Sequence, residues 1–362
     1  MEGSQMYNFN IKSVIHDYEV QFIDNVKKTL NEELLDGDFI IIDNKVKSLY
    51  IDSLEDALET HSYIGIDATE TQKSYQEITP IIQHLIENGF RKNHRLIAIG
   101  GGITQDITAF ISSIMYRGVS WLFLPTTILS QGDSCIGSKT SINFGKYKNQ
   151  IGGFYPPNKI FIYPDFMSTL SEAEIRSGIG EMLHYFIVAG KIDFEMFRDK
   201  YQKAFTDKQV LAEIISRSLE IKKSYIEIDE FDKNVRQVFN YGHSFGHAIE
   251  SLTDYRVPHG IAVSYGMDMA NFISVKMGFI PQQIRNEIRE VTEYIWKGFK
   301  IDDIDLETFK IALSKDKKNV GSKLGLILNK GYGKIFKNIM EADDNFTAWL
   351  KEYFANELKN KL

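Results

Sequence analysis

Short apolar runs alternate with amphipathic stretches in the first half of the chain. The apolar runs, typical of buried strands, are residues 39–43, 95–99 and 119–124. Apolar residues at helical spacing occupy the stretches 75–88 and 103–116, which lie between these runs. Strands that alternate with helices in this order pair in parallel, so the pattern predicts an α/β fold with a parallel sheet.

Beyond about residue 170 the pattern becomes helical. Apolar residues at helical spacing predict helices over residues 171–190, 208–227, 246–252, 262–277 and 281–299. Ser171 with Glu174 three residues later is typical of a helix start, because each side chain can bond the other residue's free backbone N–H. We therefore expect two domains, an α/β domain over 1–169 and a mostly α-helical domain over 170–362.

Composition narrows the class of protein. A length of 362 residues suits two domains, and 43% hydrophobic with 25% charged residues is typical of a soluble enzyme. No apolar run reaches the roughly 20 residues that span a bilayer, and the N-terminus does not resemble an export signal. The single cysteine, Cys135, excludes an intramolecular disulfide and fits a reducing cytoplasm. The net charge of -7 argues against nucleic-acid binding, so we expect a cytoplasmic enzyme with a small-molecule substrate.

A glycine-rich turn, residues 100–102, follows one predicted strand and opens a predicted helix. Glycines at such a turn let backbone N–H groups approach a pyrophosphate, and the helix N-terminus adds a positive dipole. The turn is not the G-x-G-x-x-G fingerprint of ordinary dinucleotide-binding dehydrogenases, and a tight turn without a ligand has the same sequence. Asp43, which ends an earlier strand, would suit a ribose hydroxyl or equally a helix cap.

Histidines concentrate in the helical half. His243 and His247 are four residues apart and share one face of a helix, and His259 follows twelve residues later. Glu181 is a carboxylate among small residues in another predicted helix. Two histidines and one glutamate would leave a coordination position open for substrate, as in catalytic zinc sites. Each residue alone is more often an ordinary hydrogen-bonded core or surface residue.

Cations and amides that would suit an anionic substrate occur among small residues. Lys139, Lys148 with Asn149, Lys222 and Arg236 offer donors for a phosphate or carboxylate group. Lys317 and Lys318, directly after Asp316, are further candidates for the same role. Any one of these lysines is more often a solvated surface residue.

Together these segments resemble the 3-dehydroquinate synthase family of sugar phosphate cyclases, from about residue 43 to about residue 328. The resemblance depends on ordered motifs at 70–74, 100–102 with Asp106, 116–118, 125–127, 133–140, 148–149, Glu181, Lys222, Arg236, 240–247, 259–260 and 316–318. It implies a Rossmann-like NAD-binding domain followed by a helical domain that binds metal and substrate.

The resemblance also implies roles for single residues. NAD would be bound by Asp43, Glu70, Lys73, Gly101, Gly102, Asp106, Thr126, Thr127, Leu129 and Thr169. Glu181, His243 and His259 would bind a divalent metal, zinc or else cobalt, and His247 would transfer protons. The substrate would meet Asp133, Lys139, Lys148, Asn149, His184, Lys222, Arg236, Asn240 and Lys318. Arg117 would reach the neighbouring subunit's site, which implies a homodimer.

The implied reaction is an NAD- and metal-dependent cyclisation of a phosphorylated sugar acid with phosphate elimination, from 3-deoxy-D-arabino-heptulosonate 7-phosphate to 3-dehydroquinate in the shikimate pathway. Five residues depart from the family pattern: His184 replaces a lysine, Gln105 and Ser138 replace glycines, Cys135 replaces a serine, and Ile261 replaces a glutamate. Three alternatives therefore stay open. They are a cyclase for another sugar phosphate (of the 2-deoxy-scyllo-inosose synthase or sedoheptulose phosphate type), a metal-dependent polyol dehydrogenase of related fold, and an inactive binding protein.

Overall fold

The computed structural model describes residues 7–145, 147–301, 303–315, 319, 321 and 323–358. The chain forms two compact units. Met1–Leu170 and Ile215–Asp232 make up the first unit, and Ser171–Ile214 and Lys233–Leu362 make up the second. In this grouping the segment Ile215–Asp232, which lies within the predicted domain 170–362, belongs to the first unit. The predicted division between residues 169 and 170 stays a prediction.

The first unit is built on a seven-stranded sheet in the order β1-β2-β9-β6-β5-β3-β4. Its elements are β1 (Phe9–Ile11), β2 (Tyr18–Phe22), α1 (Val26–Glu33), β3 (Phe39–Asp43), α2 (Asn44–Leu49), α3 (Ile51–Thr60), β4 (Ser62–Ile66), α4 (Tyr75–Glu87), β5 (Leu96–Gly100), α5 (Gly102–Ile114), β6 (Trp121–Pro125), β7 (Lys139–Phe144), β8 (Tyr147–Phe154) and β9 (Lys159–Ile162). Only β1 and β2 pair antiparallel in this sheet. The antiparallel pair β7–β8 forms a separate two-stranded sheet.

The parallel strands explain the unbroken apolar runs of the sequence. In β3 the first four residues are all buried, as are all five residues of β5 and of β6. Parallel strands are covered on both faces, so they carry continuous apolar runs where a half-exposed strand would alternate. The predicted α/β fold class is confirmed.

The second unit is mostly helical. Its elements are α6 (Glu172–Ala189), α7 (Lys191–Lys200), the start of α8 (Lys208–Ile226), α9 (His243–Leu252), α10 (His259–Lys276), α11 (Gln282–Trp296), α12 (Leu306–Ser314), β10 (Leu324–Asn329), β11 (Ile335–Met340) and α13 (Asp344–Glu352). The predicted start of α6 is confirmed: Ser171 Oγ accepts from Glu174 N, and Glu174 Oε2 accepts from Ser171 N. None of the helices in the described ranges is long and apolar enough to cross a membrane.

Candidate metal centre and cofactor-binding residues

Three side chains of the second unit converge on one point. Glu181 lies in the middle of α6, His243 is the first residue of α9, and His259 is the first residue of α10. His243 Nε2 is 3.2 Å from Glu181 Oε1, and His259 Nε2 is 3.4 Å from Glu181 Oε2. One donor atom of each lies within 4.8 Å of the others, a separation that lets all three reach a single ion.

Glycines bring the three helices close enough for this convergence. A Cβ on Gly260 would lie 1.8 Å from the Ser177 carbonyl oxygen, and one on Gly180 would lie 2.4 Å from the Gly260 carbonyl oxygen. A Cβ on Gly266 would lie 1.9 Å from the Gly242 carbonyl oxygen. Each of these contacts is made to a backbone atom, so no side-chain movement relieves it. Gly180, Gly242 and Gly260 adjoin the three metal-site residues, so the glycines set the helix spacing that brings those residues together.

We expect Gly260→Ala to displace α10 from α6 and to loosen the metal site. Overpacking of this kind costs about 1–3 kcal/mol. Gly153→Ala is the matched control, because a Cβ there meets nothing within 4 Å. Urea denaturation should show a lower midpoint for the Gly260 variant and an unchanged midpoint for the Gly153 variant. Equal midpoints would mean that α10 has room to move.

The electrostatics of the cluster fit a cation. Burial alone would raise the pKa of the Glu181 carboxyl, but His243 and His259 outweigh burial and hold that pKa well below its ordinary value. Removal from water would lower the pKa of His259, but Glu181 and Glu250 raise it well above its ordinary value. Within the described residues no hydrogen bond reaches the buried Glu181 Oε2. A carboxylate oxygen and two imidazole nitrogens in this arrangement are the donor set that zinc or cobalt takes.

His247 and Glu250 border the cluster. The His247 ring centre lies 5.5 Å from that of His243 and 5.7 Å from that of His259. Glu250 Oε2 lies 3.0 Å from His259 Nδ1. Within the described residues, His247, Glu250 and His259 form a second group whose donors approach one another closely. Glu250 is not among the predicted site residues, although its position seven residues after His243 places it on the same helix face.

His184, the departure from the family pattern next to Glu181, is buried. Its Nδ1 lies 3.8 Å from Glu181 Oε1, and its ring centre is 3.9 Å from that of Tyr185 and 5.4 Å from that of His243. A histidine here packs among aromatic rings, which a lysine ammonium would do only at a high desolvation cost.

The other predicted substrate residues of the second unit lie on one short segment. Arg236 and Asn240 belong to the 3-10 helix Val235–Asn240. Arg236 is buried, and Asn240 Nδ2 donates to the Gln237 carbonyl oxygen at 3.1 Å. Lys318, a further predicted substrate residue, lies outside the described residues. Ile261, which replaces the family's glutamate, is buried in α10.

In the first unit the glycine turn joins β5 to α5. Gly100 ends the strand, Gly101 is the helix N-cap and Gly102 is the first helical residue. Thr126 N donates to the Gly100 carbonyl oxygen at 2.9 Å, which brings the end of β6 beside the turn. Gln105 fixes the same region, because its amide bonds the Ser134 carbonyl oxygen and hydroxyl at 2.6 and 2.7 Å.

The remaining predicted NAD residues have local partners. Asp43 caps α2 by accepting from Lys45 N at 2.9 Å. This is the helix-cap contact that the sequence offered as the alternative to ribose binding. Lys73 Nζ lies 2.5 Å from Asp106 Oδ2, and Glu70 Oε1 accepts from Asn143 at 2.7 Å. Burial raises the pKa of the Asp106 carboxyl, which Lys73 only partly offsets.

The threonines and Leu129 lie at turns after the strands. Thr127 Oγ1 donates to Ser130 Oγ at 2.8 Å, and Leu129 immediately precedes the π-helical turn Ser130–Ser134. Thr169 Oγ1 and the Tyr50 hydroxyl are 2.8 Å apart. Their predicted roles toward a nicotinamide stay predictions.

Two of the predicted cations of the first unit, Lys222 and Lys139, are paired with acids. The buried Lys222 donates from Nζ to Asp133 Oδ1 at 2.7 Å and to the Asp133 carbonyl oxygen at 2.6 Å. Lys139 Nζ lies 2.5 Å from Asp232 Oδ2. Lys222 and Asp232 belong to the segment Ile215–Asp232, which explains why this segment groups with the first unit.

Three further residues of this unit lie on turns or strands. Lys148 and Asn149 are exposed on β8, and Asn149 has a positive φ of 53°. Asn149 N donates to Asn143 Oδ1 at 2.8 Å. Arg117 is exposed and has a φ of 66°.

Two of the departures from the family pattern are buried here. Cys135 has no exposed surface, and burial raises the pKa of its thiol to about 12. Ser138 is also fully buried. At neutral pH Cys135 is therefore a protonated, buried thiol, in keeping with a small side chain that fills space.

Comparison with known proteins shows which family the chain resembles along most of its length. The family model for the N-terminal domain of 3-dehydroquinate synthase matches residues 63–177, and that for the C-terminal domain matches residues 178–319. A 3-dehydroquinate synthase of Dictyoglomus turgidum is 36% identical over 328 residues, 88% of this chain and 91% of that protein.

Two solved structures share the fold at low identity. One is 2-deoxy-scyllo-inosose synthase complexed with carbaglucose-6-phosphate, NAD+ and Co2+, with a TM-score of 0.82, 22% identity and coverage of 96% of this chain and 99% of that chain. The other is 2-epi-5-epi-valiolone synthase from Streptomyces hygroscopicus subsp. jinggangensis with NAD+ and Zn2+, with a TM-score of 0.82, 22% identity and coverage of 96% and 98%.

The matching family models and the similar curated proteins identify the chain as an enzyme of the sugar phosphate cyclase class. The chain belongs to the 3-dehydroquinate synthase family. The family and the enzyme class predicted from the motifs, a cyclase that eliminates phosphate, are thus confirmed. The roles of the individual residues stay predictions.

Proposed function

We propose that this chain converts 3-deoxy-D-arabino-heptulosonate 7-phosphate to 3-dehydroquinate with elimination of phosphate, and that NAD and one divalent metal ion, zinc or cobalt, are its cofactors. The observation that carries the proposal is the convergence of Glu181, His243 and His259 in a chain of this family. The solved relatives that hold NAD+ with Co2+ or Zn2+ support the choice of cofactors.

We assign the two cofactors to the two predicted domains. In this assignment residues 1–169 bind NAD through the turn Gly101–Gly102 and its neighbours, and residues 170–362 bind the metal. When bound, NAD would exchange a hydride reversibly with a substrate hydroxyl, and the metal would polarise substrate oxygen atoms. Glu181 and the two histidines would hold the ion with one position open for substrate.

The chain's own residues would bind and orient the substrate. Arg236 offers a two-pronged donor for the carboxylate that distinguishes this substrate from a plain sugar phosphate. Lys148 and Asn149 offer donors suited to phosphate. The Asp133 carboxylate fixes the Lys222 ammonium in position. His247, an exposed imidazole beside the metal cluster, would accept or return a proton at a ring nitrogen.

The proposal extends to assembly and location. Arg117 is exposed, and the family resemblance assigns it to the neighbouring subunit's site, so we propose a homodimer. A single, fully buried cysteine is in keeping with a cytoplasmic enzyme.

Phosphate release with each of two substrates tests the proposed function. The enzyme, supplied with NAD and Zn2+, should release phosphate from the heptulosonate phosphate without net NADH and should release none from glucose 6-phosphate. Preference for glucose 6-phosphate would favour a cyclase for another substrate. That alternative is motivated by the buried His184, which replaces the lysine of the family pattern. Net NADH with a polyol would instead identify a dehydrogenase.

A further inference from the structure

The imidazole of His259 lies between two carboxylates. Its Nε2 is 3.4 Å from Glu181 Oε2, and its Nδ1 is 3.0 Å from Glu250 Oε2. The first distance belongs to the metal cluster. The second is a hydrogen-bond distance, and nothing in the predicted reaction uses Glu250.

The contact between His259 Nδ1 and Glu250 affects which nitrogen of the imidazole can bind a metal ion. A neutral imidazole carries one proton on one of its two nitrogens, and only the other nitrogen has a lone pair for a metal. A carboxylate that accepts from Nδ1–H holds the proton there and leaves the Nε2 lone pair to face Glu181. The carboxylate also makes the Nε2 lone pair a stronger ligand for a metal ion, and it prevents rotation of the ring.

The two histidines of the cluster differ in this respect. His243 Nδ1 faces the Tyr241 carbonyl oxygen at 3.3 Å, a neutral acceptor of its own helix start. His259 faces a full negative charge instead. An ionised acceptor makes a hydrogen bond roughly twice as strong as a neutral one, so His259 is the more firmly oriented of the two.

The fold places Glu250 for this contact. His243, His247 and Glu250 recur at four and three residues along α9, so all three share one face of that helix. His259 starts α10 directly after Pro258. The side chain of Glu250 is only 12% exposed, so a hydrogen bond to it is largely shielded from water.

We infer that Glu250 is a positioning residue of the metal centre: by accepting the Nδ1 proton of His259, its carboxylate fixes the tautomer and the orientation in which His259 Nε2 binds the ion. This inference rests on the proposed metal site. The inference also predicts whether the second donor group, His247 with Glu250 and His259, binds an ion of its own. While Nδ1 carries the proton that it donates to Glu250, that nitrogen has no lone pair for a second ion, so each chain should bind one ion.

Zinc affinity of four full-length proteins tests the inference. The proteins are the wild type, Glu250→Ala, Glu250→Gln and the control Glu33→Gln, and the measured quantity is the Zn2+ dissociation constant by chelator competition at constant pH. Glu33 is a partly buried carboxylate that accepts from Lys159 Nζ at 2.9 and 3.0 Å, so its variant reports the general effect of losing such a charge. Loss of an outer partner of a metal-bound histidine typically weakens metal binding about 10–100-fold.

We expect Glu250→Ala to weaken zinc binding within that range, and Glu250→Gln to lie between it and the wild type, because an amide oxygen still accepts from Nδ1. The visible absorption of the Co2+-loaded protein should change in both variants, and the Glu33 variant should match the wild type in affinity and spectrum. If Glu250→Ala does not fold, the Gln variant alone carries the comparison.

The outcomes separate the inference from the proposed function. Wild-type affinity and spectrum in both Glu250 variants would overturn the inference and leave the metal site intact. Two zinc ions per wild-type chain, with one lost on Glu250→Ala, would make Glu250 a ligand and also overturn it. A wild type that binds no zinc would overturn both the metal site and the inference.

Discussion

Glu181→Gln should abolish stoichiometric zinc binding and reduce phosphate release from the heptulosonate phosphate by about a thousandfold or more, the scale expected when a group acting in the transition state is lost. Glu181 supplies the only negative charge among the three donors, and the neutral amide of glutamine is a weaker ligand. The substitution keeps the size and shape of the side chain. Zinc content after dialysis and the rate of phosphate release are the two measurements.

The fold should survive this substitution. His243 and His259 hold the pKa of the Glu181 carboxyl well below its ordinary value, so the metal-free variant loses a net favourable interaction at neutral pH. It should therefore still fold, but unfold at a lower urea concentration than the metal-free wild type. Glu195→Gln makes the same chemical change on α7, at a side chain that is 43% exposed, and should leave both zinc content and turnover unchanged. Substantial zinc binding and turnover in the Glu181 variant would show that this carboxylate is not a metal ligand.

Asp268→Asn should lower the free energy of unfolding far more than any loss of a surface charge. Asp268 has no exposed surface and accepts from Arg285 Nε and Nη2 and from Arg289 Nη1, each at 3.0 Å. The Tyr353 hydroxyl donates to it at 2.8 Å. Removal of one partner from a buried ion pair typically costs about 3–5 kcal/mol, because the remaining charges stay buried without compensation.

Urea denaturation of the metal-free protein measures this effect. Glu357 still faces both guanidinium groups, at 2.9 Å from Arg285 Nη2 and 2.6 Å from Arg289 Nη1, so the variant should retain a weakened cluster rather than none. Asp56→Asn is the matched control, since Asp56 is 41% exposed and pairs with Lys27 at 2.9 Å, and its midpoint should not move. Equal midpoints for the two variants would show that the buried cluster does not stabilise the second unit.

Elements with a long apolar or periodic signal are predicted well from the sequence. The strand at 39–43 agrees with β3, and the helix at 208–227 differs from α8 by one residue at its end. The short strands β1 and β2, three and five residues long, carry no comparable signal and are missed. So is the hairpin β7–β8, because every residue of β8 is at least partly exposed and its polar sequence looks like a loop.

The site is only partly readable from the sequence. The spacing of His243 and His247 indicates a shared helix face, but it does not say which of them turns toward Glu181. That choice depends on the contact of α9 with α10 through Gly242, Gly246 and Gly266, which is tertiary. The grouping of Lys222 with Asp133 is equally non-local, because 89 residues separate them in the chain. The family resemblance supplies the ligand set that spacing alone leaves open.

The most direct test of the metal centre is a crystal structure of the protein grown with Zn2+, with an anomalous difference map at the zinc absorption edge. We predict one strong peak within about 2.0–2.2 Å of a Glu181 carboxylate oxygen, His243 Nε2 and His259 Nε2, which are ordinary zinc–ligand distances. A map without a peak among these three side chains, or with the only peak at other residues, would contradict this prediction.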